Sequence, residues 1–460
     1  MSQDLQPSLR KRHLSMIAIA GVIGAGLFVG SGAAIGTAGP GVLISYAVAG
    51  LLVVLVMRML GEMSAANPDT GSFSAYAERA IGPWAGFTVG WLYWWFWVVV
   101  VGIEATAGAA IVHRWVPAVP QWTWALALTV LLTLTNLYSV RSFGEFEFWF
   151  AGIKVAAITI FLVVGGLAIF GMLPNVAAPG LSNLTGHGGF LPNGSGPIFA
   201  AMLVVVFSFF GAEIATIAAG ESDNPGQAVR TAVRSVVWRI LLFYIGSIAV
   251  VVTLIPWNDA SVAKSPYVAV LDAIGLPSAA VVMDVVVLTS VLSCLNSGLF
   301  TASRMVFSLS RRGEGPAVLG RVSRRGVPVA AVLASTVVGF VTVVLNYVSP
   351  DTVFLFLVNS SGAVAVFVWL AIAVSQLRMR RRLEQEAPGN LALRMWGYPY
   401  LTWATIVGMI GLLVGMLFDS SARSQLLLSL LVAAVVIAVS ALRSRRRAAA
   451  PPAVEAVETV

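Results

Sequence analysis

Charge is what this chain lacks. Of its 460 residues only 10% are Asp, Glu, Lys or Arg, against roughly 25% in an ordinary soluble protein. So few charges cannot cover a water-facing surface of this size, which excludes a string of soluble domains. Cysteine is nearly absent too. Cys294 stands alone, so neither an intramolecular disulfide nor a multi-cysteine metal site can form. The three histidines, His13, His113 and His187, lie far apart without metal-ligand spacing. No metal and no cofactor are expected.

What is present is apolar. Hydrophobic residues make up 58% of the chain, and the mean hydropathy is +0.89. Blocks at 42–57, 87–103, 124–134, 155–170, 240–255 and 426–442 carry almost no charge. A helix that crosses the hydrocarbon core needs about 20 mainly apolar residues, whereas barrel strands alternate in short segments. The expected fold class is therefore all-α integral membrane. Twelve transmembrane helices are predicted, over roughly 15–35, 40–61, 84–112, 122–140, 148–171, 196–219, 236–256, 279–310, 328–347, 353–376, 400–418 and 425–442. Polar breaks such as Asn67-Pro68-Asp69 and Ser222-Asp223-Asn224-Pro225 mark the connections.

A net charge of +8 raises the question of nucleic acid, but the basic residues are sorted by side. With the N-terminus inside, 24 of the 28 Lys and Arg fall on cytoplasmic segments. Arg114, Lys264 and Arg423 fall outside, and Lys154 lies within a span. That is the positive-inside pattern. It predicts both termini in the cytoplasm, a lipid bilayer as partner and no nucleic acid. The segment carrying Arg10-Lys11-Arg12 lacks a secretory pattern, so the first apolar stretch is expected to stay as a helix. Residues 1–14 read as a cytoplasmic segment, 15–442 as the transmembrane domain and 443–460 as a disordered cytoplasmic tail.

Two spans look broken. Residues 21–30, GVIGAGLFVG, place Gly21, Gly24, Gly26 and Gly30 inside the first, where glycine disfavours helix by about 1 kcal/mol. Two readings are open: close helix packing through small residues, or an unwound stretch whose bare N–H groups bind an anion. The sixth span carries Phe207-Ser208-Phe209-Phe210-Gly211-Ala212-Glu213. A carboxylate within a span usually faces a bundle interior or cavity. Interruptions in the first and sixth spans point to an inverted-repeat transporter with substrate at the midplane.

The runs GVIGAGLFVGSGAAIGTAGP (21–40), PDTGSFSAYAERAIGPWAGFTVGWLYWWFW (68–97), GEFEFWFAGIKV (144–155), FSFFGAEIATIAAGES (207–222) and LNSGLFTASRMVFSLSRRG (295–313) resemble amino-acid permeases of the amino acid–polyamine–organocation superfamily. GWLYWWFW and VSQLRMR (374–380) resemble in particular its 4-aminobutyrate carriers. The resemblance implies a LeuT-like 5+5 inverted repeat, with repeats at 15–171 and 196–376 and two peripheral helices at 400–442. It also implies proton-coupled import of a small zwitterionic amino acid, 4-aminobutyrate above others, across the cell (inner) membrane.

The same resemblance implies roles. It puts the substrate carboxylate on the amides of Gly24, Ala25 and Gly26, and the ammonium near the carbonyls of Val22 and Phe210. Many relatives have a hydroxyl residue where Ala25 stands, so binding here would rest on backbone alone. Phe207 matches an aromatic gate, with ordinary packing as the alternative. Glu213 matches a glutamate tied to gating and proton handling, with a structural carboxylate as the alternative. Lys154 matches the lysine whose ammonium replaces a sodium ion in sodium-coupled relatives, which makes it the proton-coupling group. Its alternative is snorkelling, since the predicted span starts only a few residues earlier.

Read from the residues alone, Glu104 lies deep in the third span. It is a counter-charge for the substrate ammonium, a partner for Lys154, or structural. Glu62, Glu145 and Glu147 fall at predicted cytoplasmic helix ends, where solvated charges are ordinary. Asp284 lies near an outer end, and the aromatic residues at 91–97 suit packing or the interface. A channel needs a continuous polar pore, and no repeated polar stripe is expected in any span. A membrane enzyme needs convergent catalytic groups, and none is evident. Other-specificity permeases and a transporter-like amino-acid sensor remain as alternatives. The sensor would need a sizeable soluble segment, and the longest tail is about eighteen residues. Oligomeric state is not legible.

Overall fold

The computed structural model describes residues 23–67, 69, 72–138, 140–214, 225–323, 326–391, 393–418 and 420–449. Every regular element among them is a helix. In chain order they are α1 (Ala25–Phe28), α2 (Gly30–Ala38), α3 (Val42–Ala66), α4 (Ser72–Ala80), α5 (Pro83–Trp115), α6 (Gln121–Tyr138), α7 (Val140–Ile169) and α8 (Gly196–Phe209). There follow α9 (Pro225–Arg239), α10 (Ser247–Leu254), α11 (Pro266–Ala273), α12 (Pro277–Arg311), α13 (Val329–Val348), α14 (Pro350–Glu386), α15 (Tyr400–Phe418) and α16 (Ser420–Ala449). A π-helical turn, Ile240–Gly246, joins α9 to α10.

Proline opens many of these helices: Pro83, Pro266, Pro277 and Pro350 occupy first positions, where the missing N–H is no loss and φ is already set. Gly82, at φ 142°, makes the turn into α5. Among the described residues nine helices are long and apolar enough to cross a membrane, one of them the run Ala25–Ala66. Two more helices fall short for physical reasons. α6 carries Thr129, Thr133 and Asn136 on its buried face, and α8 stops after 14 residues at the break. Among the described residues length and hydropathy thus give nine spans, with Ala25–Ala66 counted as one.

Several boundaries differ from expectation. α7 starts at Val140, eight residues before the predicted start at 148, and α14 runs to Glu386, ten beyond 376. α16 continues to Ala449, past the boundary at 442; residues 450–460 and 1–22 lie outside the described residues.

α5 lies at the centre, packed against α6, α12, α13 and α14. The broken helices sit against this core: α1 touches α5, α8 and α12, while α8 packs on α2, α3 and α14. Large apolar side chains such as Leu51, Leu134, Ile160, Val281, Val344 and Leu431 point outward from the bundle. That surface suits lipid rather than water.

Candidate functional site

At the expected first break the described residues begin non-helically, residues 1–22 lying outside them. Ile23 and Gly24 are non-helical, Gly24 with φ −145° and ψ −145°, and α1 begins at Ala25. Helix geometry slips again at Val29 before α2 resumes. The second break follows Phe209: Phe210 is extended at φ −66° and ψ 144°, and Gly211 takes φ 99°. That dihedral is open to glycine and strained for other residues.

The two breaks touch. A Cβ on Gly26 would lie 2.8 Å from Ser208 Cα and 3.1 Å from Phe207 Cε1. One on Gly30 would lie 3.1 Å from a Val204 methyl. The close-packing reading of the glycine cluster is therefore realised. Gly26 and Gly30 let α1–α2 close on α8, and Gly24 is non-helical just before α1.

Five buried charges surround this junction: Glu104 is 1% exposed, and Glu147, Lys154 and Glu213 are fully buried, with Arg239 at 5%. Glu104 reaches from α5 to the first break, where both its oxygens accept from Ala25 N–H, at 3.1 and 3.0 Å. So the middle amide of the expected carboxylate site already holds a carboxylate, supplied by the protein. Glu213 does the same at the second break, its oxygens accepting from Gly211 N–H at 3.0 Å each. Each break presents an amide at the start of a helical turn, and each amide carries an acid.

Lys154 projects from α7 among Glu147, Cys294 and Glu104. With α7 beginning at Val140, its Cα stands about 21 Å along the helix. The short snorkel that the predicted start at 148 allowed is removed. Tyr93 of α5 and Arg239 of α9 lie near the Glu213 carboxylate. Ser208 contributes a carbonyl freed by the break, which accepts from Tyr244 O–H at 2.9 Å.

Aromatic residues close around these groups. Phe210 stacks at 4.0 Å from Phe96, 5.8 Å from Tyr93 and 5.7 Å from Trp369. Phe207 lies 6.1 Å from Phe96, buried and against Gly26. The aromatics at 91–97 are thus partly core: Tyr93, Phe96 and Trp97 are buried at the break. Val22 lies outside the described residues.

Three sequence readings are corrected. Glu62 is not solvated: it is 1% exposed and accepts from Gln376 Nε2 at 2.7 Å, from Arg380 and from Met395 N–H. Glu147 is buried because α7 starts two turns before it, and Ser293 Oγ donates to it at 2.7 Å. A polar stripe does exist, on α12, where Ser290, Ser293 and Ser297 follow helical spacing and are buried. That spacing was the available signal for the Glu147 surroundings, and Cys294 lies on the neighbouring face against Gly24. Tyr244 had no such signal. Asp284 lies two turns into α12, where it accepts from Arg114 at 2.7 Å and from Trp115 Nε1 at 2.8 Å.

Apolar helices, two touching breaks and buried acids on the break amides define a membrane transporter. A crystal structure of a manganese transporter mutant from Eremococcus coleocola has a similar fold, at TM-score 0.55 and 14% identity, over 93% of this chain and 92% of that one. Residues 13–449 match the amino acid permease family, and the chain belongs to it. The gamma-aminobutyric acid permease of Bacillus subtilis is 58% identical over 92% of this chain and 91% of its own length. That of Escherichia coli is 55% identical over 91% of each.

Proposed function

We propose that the protein imports 4-aminobutyrate by proton symport, through alternating access on a LeuT-like 5+5 inverted repeat with twelve spans. The observation that carries the mechanism is the Glu104 carboxylate on Ala25 N–H. A site built to hold a carboxylate there is ready for the carboxylate of a substrate. On arrival the substrate takes the amides of Gly24, Ala25 and Gly26, and Glu104 swings off. Amides opened within the bilayer find no water to bond, so one carboxylate replaces another.

The freed Glu104 then faces two cations, the substrate ammonium and Lys154. Three carbons separate the charges of 4-aminobutyrate, so its ammonium reaches beyond the first break, toward Glu104, the Phe210 carbonyl and Glu213. Phe207 covers the bound substrate. Lys154 carries the coupling proton. The relatives named gamma-aminobutyric acid permease, identical at 55–58%, support the choice of substrate. The basic residues on predicted inner segments support an inner-membrane protein with both termini cytoplasmic. Residues 15–442 form the transmembrane unit.

The test is competition in proteoliposomes under an imposed pH gradient. Unlabelled 4-aminobutyrate and other ω-amino acids should displace labelled 4-aminobutyrate, and alanine or phenylalanine should not. Displacement by α-amino acids at lower concentration would make this a permease of other specificity. Binding without flux would make it a sensor.

A further inference from the structure

We infer that Glu147 accepts the coupling proton from Lys154 and hands it toward the cytoplasm. This rests on the proton-symport reading, which by itself leaves Glu147 without a task.

Lys154 and Glu147 stand seven residues apart on α7, which is two turns and one face. Side chains on a helix lean toward its N-terminus, so the lysine stem leans along α7 toward Glu147. Lys154 is thus held between two acids: Glu104 at the substrate break, and Glu147 nearer the predicted inner end of the helix. Its ammonium is the cation that faces Glu147.

The remaining neighbours of Glu147 are neutral. Ser293 Oγ donates to Oε2 at 2.7 Å and Asn296 Nδ2 to Oε1 at 3.3 Å. Asn136 of α6 donates to Asn296 at 2.7 Å, with Thr135 at 3.5 Å. Among the described residues the titratable groups facing Glu147 are Lys154 on α7 and Cys294 on α12, with Glu104 beyond the lysine. Ser297 Oγ lies buried beside the carboxylate.

A fully buried carboxylate with one cation is stable in two forms, as the ion pair or as a neutral acid beside a neutral amine. Moving the proton interconverts them without changing the net charge. An N–H bond of Lys154 breaks, an O–H bond forms on Glu147, and the new hydroxyl finds an acceptor in Ser297 Oγ. When the cytoplasmic side opens, that proton passes to water and Glu147 is ionised again, with Lys154 neutral. Lys154 then takes its next proton from the outer side.

The test uses the full-length protein in proteoliposomes with labelled 4-aminobutyrate. In Glu147→Gln the amide oxygen can still accept from Asn296 Nδ2, the Ser293 hydroxyl can turn to accept from the new NH2, and the proton site is lost. Uptake driven by a pH gradient should fall about a hundredfold, the lower end of what a lost proton-transfer group costs. Exchange of labelled for unlabelled substrate at equal pH should stay near wild type. Glu147→Asp, which restores a carboxyl, should recover gradient-driven uptake. Lys154→Met tests the assignment of the coupling proton to Lys154 alone. If Lys154→Met loses gradient-driven uptake and Glu147→Gln keeps it, the relay is overturned and symport stands. If both keep it, Lys154 is not the coupling group and the relay falls with that assignment. If both Glu147 variants lose exchange as well, the residue holds the fold, which also overturns the relay.

Discussion

At Gly24 the site has no room for a side chain. A Cβ there would lie 2.5 Å from Glu104 Oε1 and 2.6 Å from Cys294 Cβ, closer than real atoms approach. Gly24→Val should abolish 4-aminobutyrate uptake while the protein still reaches the membrane, and Gly26→Val should do so through Ser208. Uptake per inserted molecule is the measurement. Glu104→Gln is milder. The amide oxygen still accepts from Ala25 N–H, but the charge offered to an ammonium is gone. A lost charge-assisted bond is worth roughly 1.5–3 kcal/mol, so the uptake KM should rise about ten- to a hundredfold. An unchanged KM would return Glu104 to a structural role.

Among the elements, α3, α14 and the segment before α15 are joined at Glu62. Gln376 and Arg380, one turn apart on α14, both donate to it, as does Met395 N–H. Arg380 also donates to Glu384 at 2.8 Å and lies 5.1 Å over the Tyr398 ring. Removing one partner of a buried pair strands the other, at a cost of about 3–5 kcal/mol. Arg380→Met should therefore lower unfolding stability by that order in detergent, and Glu62→Gln together with Arg380→Met should restore part of it. The sequence could not show this cluster. Glu62 and Arg380 are more than 300 residues apart, and each alone reads as a charge at a solvated helix end. The breaks were legible because glycine inside an apolar span is locally anomalous. Glu104 and Lys154 were legible as charges where lipid forbids them. Which amide Glu104 would meet was not, because that depends on how α1 lies against α5.

For the whole molecule, the long apolar helices and the outward apolar side chains describe a multi-pass membrane protein. What helix lengths leave open is how the energy of a gradient enters. On the proton-symport proposal Lys154 is the group that admits it, fully buried among Glu147, Cys294 and Glu104. Lys154→Met should leave exchange at equal pH in place and remove uphill uptake driven by an acidic exterior. Persistent uphill uptake would assign the coupling to another group, with Glu213 next in place.

The acids seated on Ala25 and Gly211 have a consequence for the return half of the cycle. A carrier that has released its cargo must cross back empty, and bare amides buried in hydrocarbon would each oppose that step by several kcal/mol. Here each break carries its own stopper, so on the alternating-access proposal the unloaded protein should reset without waiting for a second substrate molecule. Such a carrier would fill a compartment rather than merely trade across its boundary. Cutting the stopper away with Glu104→Ala should convert it toward a trader, with swapping preserved and one-way filling slowed.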